Sequence, residues 1–250
     1  MARNQIGSET RRGVDKLMHF SGNVGGISED DVLTVLRESG ITSLDALIRH
    51  ALAVPPPAEP QPLDPSHLLA PTRTADASLK HRPPQVAVVV DGVENDPADI
   101  TRFDGQMLTF VADGSPDRIL AYTDDRPLRA AVWVATSLGA QSPAAPSAEI
   151  TQGEVQMFEH HFYDGDWFWC GAHQGWSDLT GVRHGSWPGS DWNDTISSAK
   201  PTDCLVYYYE HINFGGIALY APPGIALDDL QRIGWNDRIS SVANYGNGRR

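Results

Sequence analysis

Two hexapeptides carry the residues whose types and spacing could do chemistry. Asn193-Asp194-Thr195-Ile196-Ser197-Ser198 and Asn236-Asp237-Arg238-Ile239-Ser240-Ser241 begin 43 residues apart. Each gathers a carboxylate, hydroxyls and backbone carbonyls within six positions. Hard oxygens at that density suit Ca²⁺, which takes six to eight oxygen ligands at ~2.3–2.6 Å. One Asn-Asp-x-x-Ser-Ser alone reads more readily as a polar turn, because Asn, Asp and Ser are ordinary loop residues. Two copies, each closing a matched stretch of chain, turn the balance toward a ligand role.

The matched stretches are the elements that must position these loops. One copy starts Phe158-Glu-His-His-Phe-Tyr163-Asp-Gly165, and the other Tyr209-Glu-His-Ile-Asn-Phe214-Gly-Gly216. Both read aromatic, four residues, aromatic, one residue, glycine, and their starts lie 51 residues apart. A tryptophan, Trp192 or Trp235, precedes each hexapeptide. A repeat of this length fits a four-stranded Greek key. Phe158, Tyr163, Tyr209 and Phe214 alternate with polar residues, which predicts half-buried antiparallel strands. Gly165 and Gly216 fall where a sharply folded hairpin needs positive φ or close backbone approach. Six of the seven tryptophans lie after residue 150, and these rings are expected to fill the core.

Taken as a pair, these motifs resemble the microbial Ca²⁺-binding βγ-crystallin family, whose double Greek-key domain carries (Asn/Asp)-(Asn/Asp)-x-x-(Ser/Thr)-Ser in each half. The resemblance spans about Val155 to Tyr245. It implies an all-β domain with two Ca²⁺ per chain, each shared between the keys. Asp194 and Asp237 would each reach across to the other key's site. Ser197 and Ser240 would give hydroxyls. Thr195 and Arg238 would give backbone carbonyls, as would Glu159 and Glu210 near the first hairpin of each key. Asn193 and Asn236 would brace the loops. Arg238 adds a cation beside its site, which would weaken that site by charge without removing a ligand.

The rest of the chain reads as a multi-domain arrangement. Nine of the eighteen prolines fall between Pro55 and Pro84, and this stretch, 55–84, reads as an extended linker without ladders or helices. Residues 1–54 read as a helical hairpin. Ser28 caps a first helix ended by Gly40, and Ser43 caps a second with Leu44, Leu47, Ile48 and Leu52 at helical spacing. Residues 85–139 read as a small α+β segment. Its strands are expected over 86–90, 107–111 and 118–122, with a turn at Asp91-Gly92 and a closing helix over 128–136. Residues 140–150 read as a second linker, and 151–250 as the βγ-crystallin-like domain.

Charge and composition exclude several function classes. The net charge is -13, and residues 1–54 hold six Lys/Arg against seven acids, so nucleic acid is not an expected partner of the helical hairpin. A docking or self-association role suits it better. No apolar run approaches the ~20 residues of a membrane span. The N-terminus lacks a basic-then-apolar leader pattern, so the cytoplasm is expected, with export by another route left open. His160, His161, His173, His184 and His211 show no zinc-motif spacing. Cys170 and Cys204 read as buried thiols, with a single bridge the less favoured alternative. No nucleophile, base and orienter stand at a recognisable spacing in the segment 85–139. The expectation is a non-enzymatic, Ca²⁺-binding protein with a structural, stress-related or Ca²⁺-responsive role. The alternative is a protease-inhibitor or toxin-like binding protein on the same fold. A fragment starting near Glu149 is expected to fold alone.

Overall fold

The computed structural model describes residues 59–69, 82–138, 150–185 and 190–247. The helical hairpin expected over 1–54 lies outside them, and so does almost all of the expected second linker. The chain divides into two compact units, one of Ala58–Val182 with Trp192–Arg250 and one of Met1–Pro57 with Arg183–Asp191. In the latter, Arg183 and Asp191 form an antiparallel bridge.

The larger unit is mostly β. Its strands are β1 (Gln61–Pro62), β2 (Ala87–Val90), β3 (Val93–Asn95), β4 (Thr109–Val111), β5 (Arg118–Tyr122), β6 (Glu154–Phe158), β7 (Trp167–Gly171), β8 (Gln174–Trp176), β9 (Ser198–Ala199), β10 (Val206–His211), β11 (Gly215–Ala221) and β12 (Ser241–Asn244). Among the described residues one α-helix, α1, spans Arg126–Leu138. Nine strands form one sheet in the order β1-β8-β12-β10-β11-β4-β5-β2-β3, and three form a second, β7-β6-β9.

The two expected keys exchange segments. Strand β8 follows β7 in the chain, yet pairs antiparallel with β12 of the other key. Leu227, from the second key, bridges to Ala199 of the first. Side chains from both sheets meet in one core, including Val155, Met157, Cys170, Ile196, Tyr208, Leu219, Leu230, Ile239 and Val242. Trp192 and Trp235 are both buried in it, as expected for the paired tryptophans.

The strands of the middle segment belong to the same sheet. Strand β4 runs parallel to β11, with Ala218 opposite Thr109 and Tyr220 opposite Val111. Strand β5 pairs with β4 and with β2. The β2–β3 hairpin closes through Asp91 (φ 50°) and Gly92 (φ 84°), the two left-handed residues that match the twist of a tight hairpin. On the outer face of the large sheet, Tyr207, Tyr209, Tyr220 and Tyr245 pack in a second cluster with Leu68, Val111 and Val132. The half-buried strand expected at Tyr209 is therefore corrected. Residues 206–209 are buried on both faces, because Val132 of α1 and Leu68 of the 3₁₀ turn Pro65–Leu69 pack with Tyr207 and Tyr209 on the face that solvent would otherwise reach.

The proline-rich stretch also departs from expectation. Gln61 and Pro62 pair with Gly175 and Gln174 as an edge strand, and Leu68 is buried. Proline is tolerated there because an edge strand needs only one side of its backbone for the ladder. At the start of α1, Arg129 Nε lies 2.9 Å from Asp125 Oδ1, and Thr109 Oγ1 donates to Asp125 Oδ2 at 2.8 Å. This buried pair ties α1 to β4.

A fragment starting at Glu149 would leave the β11 edge unpaired and the tyrosine cluster uncovered. Exposed edges of this kind template association. The fragment is expected to melt below the full chain and to self-associate, as read by calorimetry and sedimentation. A monomeric fragment of unchanged melting temperature would show that residues 59–138 add nothing to the fold.

Candidate cation-binding loops

The hexapeptides sit where the two keys meet. Asp194 and Asp237 both adopt left-handed backbone, at φ 53° and 51°. Asp tolerates that region better than most residues, since its short polar side chain can bond locally. The kink turns each amide toward the opposite key. Asp194 N–H donates to the Ile239 carbonyl at 3.0 Å, and Asp237 N–H donates to the Ile196 carbonyl at 3.3 Å. The loops are thus bonded to each other rather than standing as two separate turns.

One side-chain pair repeats the exchange. Ser240 Oγ donates to Asp194 Oδ1 at 3.3 Å, although the residues are 46 apart in sequence. For the reciprocal pair, the link runs through the amide of Asp237 to Ile196, the residue before Ser197. Ser197 and Ser240 are both buried, and their amides donate to the Phe158 and Tyr209 carbonyls, each at 2.9 Å. Those carbonyls immediately precede Glu159 and Glu210. Asn193 Nδ2 donates to Asp194 Oδ2 at 2.9 Å, and Asn236 Nδ2 to Asp237 Oδ2 at 2.6 Å. Each asparagine therefore orients the neighbouring carboxylate, and Asn236 Oδ1 is buried without a hydrogen-bond partner.

The two loops differ in their third residue. Thr195 Oγ1 donates to the Asn193 carbonyl at 3.0 Å. The Arg238 side chain turns inward instead. Its Nε donates to Glu210 Oε1 at 2.8 Å, its Nη1 donates to the Gly234 carbonyl at 3.2 Å, and its guanidinium lies 5.2 Å from the Trp235 ring centroid. Burial lowers the guanidinium pKa from its usual value, and the charge of Glu210 opposes that. The positive charge expected beside the second loop is therefore already paired. The Asp237 carboxyl is pushed up, first by burial and then by the charge of Asp194, while Arg82 and His161 oppose the rise.

The last serine of each hexapeptide does work that its sequence did not specify. Ser198 Oγ donates to the His160 carbonyl at 2.6 Å and accepts from Tyr163 N–H at 3.0 Å. Ser241 Oγ donates to the His211 carbonyl at 2.6 Å and accepts from Phe214 N–H at 3.1 Å. Each serine thereby clamps the left-handed turn that folds its first hairpin, at Phe162-Tyr163 and at Asn213-Phe214. The recurrence of serine at position six in both copies was the available signal.

The glycines and histidines of the repeat explain each other. Gly165 and Gly216 have φ of 81° and 70°, and a Cβ on either would come within 2.9 Å of the ring of His160 or His211. The recurring Glu-His is a hairpin feature, with the ring packed over glycine.

The oxygen-rich set fits a hard cation. Oxygens from opposite keys meet where Ser240 Oγ lies 3.3 Å from Asp194 Oδ1, and hard oxygens are the donors such a cation takes. The cysteines contribute nothing to such a site. Cys170 and Cys204 are free and buried, and burial pushes both thiols up to about 12, so neither is a thiolate near neutral pH.

No protein-family model matches the chain, and no curated protein does. Solved structures do match. A chain from work on the evolution of the eye-lens βγ-crystallin domain fold is 23% identical, with 40% of this chain and 92% of that chain covered and a TM-score of 0.33. An archaeal βγ-crystallin is 25% identical, covering 38% and 99%, with a TM-score of 0.29. A βγ-crystallin domain from Flavobacterium johnsoniae is 24% identical, covering 38% and 98%, with a TM-score of 0.30. Over about two fifths of its length the chain is thus similar to βγ-crystallin domains, microbial ones among them.

Ser198→Ala and Ser241→Ala each remove both bonds of a clamp. Each is expected to cost about 1–3 kcal/mol, the penalty of leaving buried polar groups unpaired. Urea unfolding of the two variants checks this, and equal losses are expected because the two clamps are equivalent.

Proposed function

We propose that the double Greek-key region is a non-enzymatic Ca²⁺-binding module with two sites, each assembled from both keys. The observation that carries the reading is the approach of Ser240 Oγ to Asp194 Oδ1 at 3.3 Å, reinforced by the reciprocal amide bonds between the loops. In one site Asp194 supplies a carboxylate oxygen and Ser240 a hydroxyl, with the carbonyls of Arg238 and Glu210. In the other, Asp237 and Ser197 act with the carbonyls of Thr195 and Glu159. Asn193 and Asn236 hold the carboxylates in orientation. With one carboxylate in each set, binding is weaker than at a high-affinity buffer site, since ligand charge tunes affinity.

Bound ion would act as a clasp between the keys. A ligand that binds only the folded state stabilises it by RT ln(1 + [L]/Kd), about 2.7 kcal/mol at a hundredfold excess. That is a large fraction of the stability of a small domain. Titration calorimetry of the whole chain is expected to count two Ca²⁺, and Ca²⁺ is expected to raise the melting temperature. Absence of both effects would overturn the reading.

The shared arrangement has its own test. Asp194→Ala and Ser240→Ala are expected to damage the same site, so the double variant costs less than the sum of the singles. Ser197→Ala is expected to spare that site and damage the other. Additivity for Asp194 with Ser240, beside non-additivity for Asp194 with Ser197, would favour two separate loops.

A further inference from the structure

The segment just before β2 docks on the loop that carries the second hexapeptide. Gln85 N–H donates to the Arg232 carbonyl at 2.8 Å. Gly234, at φ 77°, allows the backbone of this segment to come close. A Cβ there would meet the Arg82 carbonyl oxygen at 2.8 Å and the Pro84 nitrogen at 3.3 Å. Pro83 and Pro84 stiffen the strap between these anchor points. The strap delivers one charged group. Arg82 Nη1 donates to the Asn236 carbonyl at 2.7 Å and to the Asp237 carbonyl at 3.3 Å.

We propose that Arg82 is a tethered cation that competes with Ca²⁺ at the site that takes the Asp237 carboxylate, so that two sites of matching motif differ in affinity. The inference rests on the calcium reading above. A guanidinium that bonds two loop carbonyls satisfies, from within the chain, part of the negative field a metal ion would otherwise satisfy. Its charge also acts on the Asp237 carboxyl and on Arg238. The other groups acting on the Asp237 carboxyl are His161 and Asp194, and His161 Nδ1 lies 3.2 Å from Asp229 Oδ1. The equivalent loop of the first key starts at Asn193, whose carbonyl accepts from Thr195 Oγ1, a neutral donor. The site that uses Asp237 is therefore the one Arg82 weakens.

The test compares full-length wild type, R82Q, R82K and, as a control for net charge, R126Q, which alters an exposed pair with Asp124. Calcium titration is expected to show R82Q tightening one of two sites by roughly three- to tenfold, the scale of removing one partly screened charge. R82K keeps the charge and is expected to stay near wild type, as is R126Q. Melting in chelator gives a second readout. R82Q loses two hydrogen bonds and is expected to melt lower without ion, yet to gain more from added Ca²⁺ than wild type. An Arg82 with a structural role alone would lower both the ion-free melting temperature and the affinity, and that result overturns the proposal. Calcium binding by wild type with R82Q unchanged overturns the tethered competitor and leaves the calcium reading standing. No binding by either protein overturns both.

Discussion

Strand β8 leaves the first key to pair with β12 of the second, and Leu227 of the second key bridges back to Ala199 of the first. This exchange fixes the position of everything at the candidate site. With β8 seated beside β12, the following turn brings Ser177 and Leu179 against the second key, where Asn213 N–H donates to Ser177 O and Leu179 N–H to Ser240 O. The mirror contacts are Phe162 N–H to Asp228 O and Leu230 N–H to Ser197 O. Each hexapeptide is thus held on one side by its own first hairpin and on the other by a segment of the opposite key. The cross-key bonds of Asp194 and Asp237 follow from that enclosure.

The second constraint is burial on both faces of β10. A two-sheet sandwich needs only one face of each sheet covered, and a strand reading Val-Tyr-Tyr-Tyr is then half exposed. Here Val206 and Tyr208 face the intersheet core, while Tyr207 and Tyr209 enter a second cluster. The cluster exists because β4 extends the sheet past β11 and α1 packs over its outer face. The Arg129–Asp125–Thr109 bonds secure that helix. A buried ion pair is weak evidence of net stability, but breaking one leaves an uncompensated charge, so this contact fixes where the helix lies more than how firmly.

What was legible in the sequence was local. The hexapeptides, the aromatic–glycine hairpins and the paired tryptophans recur at constant offsets, so self-comparison exposes them without knowledge of the fold. The Asp91-Gly92 hairpin and the limits of β5 were legible for the same reason, since turn chemistry and apolar runs are read within a few residues. What was not legible was non-local. Nothing within 85–139 announces that β4 will run parallel to β11, a pairing set by the faces each sheet must bury. Proline content suggested a linker without ladders or helices over 55–84, and it concealed the edge strand Gln61–Pro62, the 3₁₀ turn Pro65–Leu69 and the docking of Arg82. The serines at position six were visible as a repeat, yet their clamp on the hairpin turn needs the partner carbonyl and amide, about 35 residues away, to be in place.

The departures from two-fold symmetry bear most on function. Both loops carry the same asparagine brace, the same left-handed aspartate and the same serine clamp. They differ in the charges that the rest of the chain presses on them. Arg238 is withdrawn into a pair with Glu210 against Trp235, which removes from the second loop the free cation expected there from the sequence. Arg82 then returns one, from a distant segment and through a hydrogen bond to the loop backbone. A single residue at the third position could have set the affinity locally. Placing the charge on a strap outside the Greek keys makes the electrostatics of the loop depend on whether that strap is docked. The glycine at 234 is the point on which docking turns, because any side chain there would strike the Arg82 carbonyl.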